Sequence, residues 1–136
     1  MIDVLKIAIQ EIGVTEISGA ESNPRIDEYL ASSGKSPDDE IPWCSAFVNW
    51  CIEQAGYKGT NSALARSWLN WGVHLSSPQL GCIVVIKRGI HPWQGHVGFF
   101  LNQLGGRLYL LSGNQNNRVC VQDYETSRLL GYRSIL

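Results

Sequence analysis

The sequence predicts an α+β domain, with helices first and antiparallel strands after. Three observations predict it. Apolar residues recur at helical spacing through the first half of the chain. The second half breaks into short apolar or alternating runs of strand length. Gly105-Gly106 reads as a hairpin turn between two of those runs.

Each element has its own signal. Ile2, Leu5, Ile9 and Ile12 give the first helix its apolar stripe, and Gly13 ends it. Asn23-Pro24 reads as an N-cap followed by proline at the first helical position. Ile26, Tyr29 and Leu30 form the apolar face of that second helix, which Gly34 closes. Residues 35–42 read as a polar loop containing Pro37 and Pro42. A third helix is predicted from about Trp43 to Ala55, stopping at Gly56. A fourth is predicted behind Ser62, with Leu64, Ala65, Trp68 and Trp71, up to Gly72. The continuous run Cys82-Ile83-Val84-Val85-Ile86 suits a strand buried on both faces. His96 to Leu101, Leu108 to Leu111, Val119 to Tyr124 and Leu129 to Ile135 follow as strands. No repeat, low-complexity tract or linker interrupts the series.

At 136 residues and 15.1 kDa the chain is expected to form one domain, 1–136. Apolar residues make up 44% and charged residues 17%, which argues against a disordered or coiled-coil chain. Eleven Lys and Arg against twelve Asp and Glu leave a formal charge of −1. No basic field exists to hold nucleic acid or anionic lipid. No stretch approaches the roughly 18 apolar residues of a membrane span, so membrane insertion is not expected. The start Met1-Ile2-Asp3-Val4-Leu5-Lys6 carries charge too early for a secretory signal peptide. Synthesis in the cytoplasm is the expectation, with any work outside it needing another export route. A monomer is expected.

Cys44, Cys51, Cys82 and Cys120 form neither a CxxC pair nor a zinc-finger spacing with histidine. No metal site and no disulfide framework is expected. Three of the four read as small buried hydrophobes. Cys44 differs, because Pro42-Trp43-Cys44-Ser45 puts it in the first turn of the third helix. Unpaired N–H groups there can lower a thiol pKa and hold an oxyanion. Cys51, seven residues on, lies deep in the helix and reads as core.

His96 follows Gly95 and opens an apolar strand, which suits a general base that must be reachable and held still. His74 and His91 lack that framing; His91 sits in a loop, Lys87 to Gln94, that can border a cleft. A thiol–imidazole pair works better with a third group orienting the ring. A three-residue loop Leu104–Gly106 pairs 103 with 107 and so sets His96 opposite Asn114. A two-residue Gly105-Gly106 loop sets it opposite Gln115 instead. The longer loop and Asn114 are the preferred reading. A thiol at a helix start, a histidine at a strand start and an amide across the hairpin make a papain-like arrangement.

Pro42-Trp43-Cys44-Ser45-Ala46-Phe47-Val48, Gly95-His96-Val97-Gly98 and Ser112-Gly113-Asn114-Gln115 resemble the CHAP-type (cysteine, histidine-dependent amidohydrolase/peptidase) domains. More narrowly they resemble a small phage and prophage branch that includes endolysins. Glu11-Ile12-Gly13-Val14, Glu16, Gly19 and Asn23-Pro24-Arg25-Ile26 resemble that branch as well. Many such domains carry a carboxylate where this chain has Ser112 and Gly113, a departure at the third catalytic position. The resemblance implies a papain-like fold, with Cys-bearing helices packed on a His-bearing antiparallel sheet. It implies hydrolysis of an amide bond in peptidoglycan, by an enzyme reaching the wall through a holin or a secretion machine. Cys44 would be the nucleophile, His96 the base and Asn114, or alternatively Gln115, the orienting group. Trp43, Ser45, Trp93 and Glu16 are candidate cleft residues, Tyr57 a further wall candidate, and Glu16 the reserve third group. Some members bind calcium, but no D-x-D-x-D-G loop is present, and Asp38-Asp39-Glu40 reads as a solvated loop. No cofactor is expected. The alternatives are a thiol protease or deamidase acting on a protein, and a non-catalytic wall-binding or tail-associated module.

Overall fold

The computed structural model describes residues 1–17, 23–34 and 43–135. Pro37, Pro42, Gly19 and Asp38-Asp39-Glu40 lie outside the described residues.

Three helices come first: α1 (Ile2–Gln10), α2 (Pro24–Ser32) and α3 (Cys44–Gln54). Asn23 caps α2 as expected, its side chain accepting from Arg25 N–H at 2.9 Å with Pro24 at the first helical position. The α1 helix stops three residues before Gly13, which turns left-handed at φ 101°. The predicted fourth helix is instead a 3₁₀ helix, Ala65–Asn70. Six residues are too few for an α-helix to offset its nucleation cost. Buried Trp68 pins the segment by donating its indole N–H to Ser45 Oγ at 2.9 Å.

Among the described residues six strands form one antiparallel sheet in the order β1-β6-β2-β3-β4-β5. They are β1 (Val73–Leu75), β2 (Ile83–Lys87), β3 (Gly95–Leu104), β4 (Arg107–Gln115), β5 (Arg118–Glu125) and β6 (Leu129–Ser134). Strand β1 is not foreseen from the sequence, because its three residues are too few to show alternation; it edges the sheet through β6. The α+β class, with Cys-bearing helices on a His-bearing sheet, is as predicted. One face packs on the helices through Phe47, Val48, Val97, Phe99 and Leu111. The other buries Val84, Ile86, Phe100, Leu110 and Tyr124. Strand β2 contributes to both clusters, as its unbroken apolar run requires.

The β3–β4 hairpin corrects the expected loop. Leu104 pairs with Arg107, so the loop is Gly105-Gly106 and has two residues. Both glycines have positive φ, 59° and 76°, which two-residue type I′ turns demand at both central positions. A bulge between Phe100 and Asn102 then shifts the register by one residue. A second shift, on β4 between Ser112 and Gln115, coincides with Asn114 at φ 58°. One inserted residue flips the side chains beyond it to the other face. Gln115, rather than Asn114, therefore shares a sheet face with Tyr124 and His96.

Candidate functional site

Trp43 positions the start of α3. Its indole stacks on Tyr29 at 5.9 Å between ring centroids, and its N–H donates to the Glu16 carboxylate. Tyr29 donates to buried Glu11 at 2.7 Å, and Arg25 pairs with the same carboxylate at 3.0 Å. The upstream residues of the family resemblance thus support the helix that carries Cys44. On the sheet side the Trp43 ring packs against Gly113. A Cβ there would sit 2.5 Å from the ring and 2.9 Å from Phe47 Cβ. Gly113→Ala should therefore shift Trp43 and the helix start with it. We expect a loss of about 1–3 kcal/mol from overpacking. Hydrolytic activity should fall as well, read by thermal unfolding and by turnover.

Cys44 is the first residue of α3, and no side chain caps that end. The N–H groups of Val97, Ser45 and Cys44 itself face its sulfur. Val97 directly follows His96, so the thiol lies at the His96–Val97 junction of β3. The expected lowering of the thiol pKa is not found. Burial pushes the thiol up and outweighs the three N–H groups and the nearby Arg88 charge, because Cys44 is only 1% exposed. His96 is 2% exposed, rather than reachable at an open strand entrance. Burial, reinforced by the Arg88 and Arg128 charges, pushes it down to about 4 despite a bond to Gln115. Both shifts favour the neutral forms, a thiol on Cys44 and an imidazole on His96.

The tautomer of that imidazole follows from its neighbours. Gln115 Nε2 donates to the carbonyl oxygen of Cys120 at 2.6 Å and approaches that of Leu110 at 3.4 Å. The amide oxygen therefore faces the other way, where it lies 2.9 Å from His96 Nε2 and accepts from Tyr124 O–H at 2.9 Å. An acceptor at Nε2 requires the proton there. Nδ1 then carries the lone pair, and it is buried with no hydrogen-bond partner among the described residues. Such an atom is poised to take a proton from a neighbouring thiol.

Cys44 opens on a cleft of about 830 Å³ between the helical side and the sheet. The end of α2, residues 61–65, Arg88 and Trp93 to Gly95 line it. Trp93 stands at its rim, 63% exposed, with His91 stacked on it at 5.3 Å. The other candidate cleft residues lie elsewhere. Ser45 is buried; its hydroxyl donates to Ser62 O at 2.6 Å and ties α3 to the segment before the 3₁₀ helix. Trp43 is 2% exposed, and Glu16 is occupied with its indole. Tyr57 bonds Asp3 at 2.8 Å and lies outside the cleft lining. Asn114 is not a hydrogen-bond partner of His96, since its left-handed backbone passes that place to Gln115. His74 lies on edge strand β1 beside Arg133, and Cys51 is fully buried, as expected of a core cysteine. Sequence reasoning missed Tyr124 and Arg88 as neighbours of the pair. An alternating strand hides which of its residues reaches a site, and Arg88 was visible only as part of a loop.

The CHAP domain family model matches residues 36–114, more than half of the chain. That span includes Cys44 and His96 and stops one residue before Gln115. No curated protein matches the sequence. Among solved structures the fold is similar to that of a Staphylococcus aureus subsp. aureus Mu50 protein described as similar to lipoprotein, NLP/P60 family. The TM-score is 0.58 at 17% identity. The likeness covers 98% of this chain and 41% of that one, so this chain spans less than half of that protein's length. At that identity it is a likeness of fold.

Proposed function

The chain belongs to the CHAP domain family of cysteine, histidine-dependent amidohydrolases and peptidases, and from that premise we propose that it hydrolyses an amide bond in the peptide part of peptidoglycan. An endolysin-like role in opening the wall is part of the proposal. Two observations carry the chemistry: His96 Nδ1 is buried and unpartnered among the described residues, and the Cys44 thiol faces the N–H of Val97, the next residue in the chain after His96. In the reaction Nδ1 takes the thiol proton as sulfur attacks the carbonyl carbon. The uncapped N–H groups at the start of α3 face the developing oxyanion. His96 then gives its proton to the departing amine, leaving an acyl-enzyme on Cys44. Water, deprotonated by the same Nδ1, releases the acid and restores the thiol.

Digestion of purified peptidoglycan, with mass spectrometry of the released muropeptides, tests the substrate. New amino termini, absent with Cys44→Ala, support the reading. Cleavage of casein with intact peptidoglycan would replace it by a protein-directed protease. Gln115 is proposed as the orienting group. Gln115→Ala should slow turnover by roughly one to three orders of magnitude, about 1.4–4 kcal/mol of barrier. Asn114→Gly should slow turnover less than Gln115→Ala does, because glycine keeps the left-handed backbone of a residue whose side chain does not bond His96. The reverse ranking would return the role to Asn114.

A further inference from the structure

A second, smaller cavity of about 260 Å³ borders His96, and the acyl-transfer steps leave it unused. Arg88, Arg128, Gln115, Gln122 and Tyr124 line it, and no carboxylate does among the described residues. Arg88 has no ion pair or hydrogen bond among the described residues, and it lines this cavity and the larger cleft alike. Arg128 spends Nε and Nη2 on the carbonyl oxygen of Lys87, at 3.1 and 2.9 Å, and lies over the Tyr124 ring at 5.2 Å. Neither interaction neutralises its charge. Gln122 Oε1 is buried there with no hydrogen-bond partner among the described residues. Among the described residues the cavity thus offers two cations without a carboxylate partner and one spare acceptor. A carboxylate with an amide N–H close by, as at the end or a branch of a peptide, matches that set.

We propose that this cavity seats a carboxylate on the amine side of the scissile bond, held by Arg88 and Arg128, with a neighbouring N–H directed to Gln122 Oε1. The inference rests on the amide-hydrolase reading above and names the substrate's charge. The side follows from the reaction. The acyl half stays on Cys44, which opens on the larger cleft. The amine half receives its proton from His96, which borders the smaller cavity. A bound carboxylate also offsets the two guanidinium charges facing His96. The imidazole can then hold the proton it carries from thiol to amine.

The test uses purified peptidoglycan, native and with its carboxyl groups converted to carboxamides by carbodiimide and ammonia. Amidation should slow the wild-type enzyme about tenfold or more at low substrate, the effect of losing a charge-assisted pair. R88Q should digest native material at a similarly reduced rate and lose the preference, while R88K keeps most of it. A second arm needs no wall: alkylation of Cys44 by iodoacetate and by iodoacetamide, followed by peptide mass spectrometry. R88Q should lower the ratio of the anionic to the neutral reagent several-fold, as loss of a nearby cation does. Equal wild-type rates on both walls, a preference that survives R88Q, or an unchanged alkylation ratio would overturn the proposal. If neither wall is digested while the ratio still falls, the peptidoglycan reading fails and the anion site stands.

Discussion

Cys44→Ser should abolish amide hydrolysis while leaving the fold in place. The substitution exchanges one atom at a site that is 1% exposed, so packing hardly changes. A buried hydroxyl needs partners, and the N–H groups of Val97 and Ser45 that face the sulfur can supply them. The chemistry does not survive. Burial holds even the thiol above its ordinary pKa, and a hydroxyl is far harder to deprotonate. A neutral imidazole as weak a base as His96 cannot compensate for that difference. We expect a loss of at least about three orders of magnitude, roughly 4 kcal/mol of barrier. Release of soluble fragments from peptidoglycan measures it, with thermal unfolding as the control for folding. Residual turnover above a few per cent with an intact fold would remove Cys44 from the nucleophile's role.

The fold was legible because its signals are local and redundant. Helical spacing, an Asn-Pro cap and an unbroken β2 run each point to one element, and burial on both sheet faces follows from that run. The parts of the site carried by a single local cue were legible too, such as Cys44 at a helix start and His96 at a strand start. The third group was not, because its place depends on register. Counting from Gly105-Gly106 gives one answer, and two bulges then move it twice. Neither bulge has a sequence mark stronger than Asn114, a residue type that tolerates positive φ without demanding it. Electrostatics failed for another reason. The N–H groups at the helix start do favour the thiolate, but desolvation outweighs them, and the packing of Trp43 on Gly113 that buries this end is a tertiary fact. The same packing explains why Trp43, Ser45 and Glu16 support the cleft from behind instead of lining it.

His96→Ala should be as damaging to turnover as loss of the thiol, since nucleophile and base act as one unit. His74→Ala and His91→Ala should leave most of the activity, because both residues are exposed, His74 beside Arg133 on edge strand β1 and His91 stacked on Trp93 in its loop. The same variant carries a second, independent signature in stability. His96 is held neutral in the fold, with its pKa pushed from 6.5 down to about 4. Between those values the unfolded chain binds a proton that the folded chain refuses. Stability therefore falls as pH drops through that window and levels off below it. For one group the loss totals about 3 kcal/mol, an order of magnitude for a fully buried site. Urea unfolding of wild type from pH 7 to pH 4 should show that slope, and His96→Ala should flatten it at a reduced starting stability. The alanine variant also leaves Gln115 Oε1 with Tyr124 as its remaining partner, which accounts for part of that reduction. Identical slopes in the two proteins would mean that His96 titrates in the fold as it does in the unfolded chain, and the neutral resting imidazole would fall. A contribution of opposite sign, with stability gained as pH drops through 6.5, would instead mark an imidazolium held by a Cys44 thiolate ionised before substrate arrives.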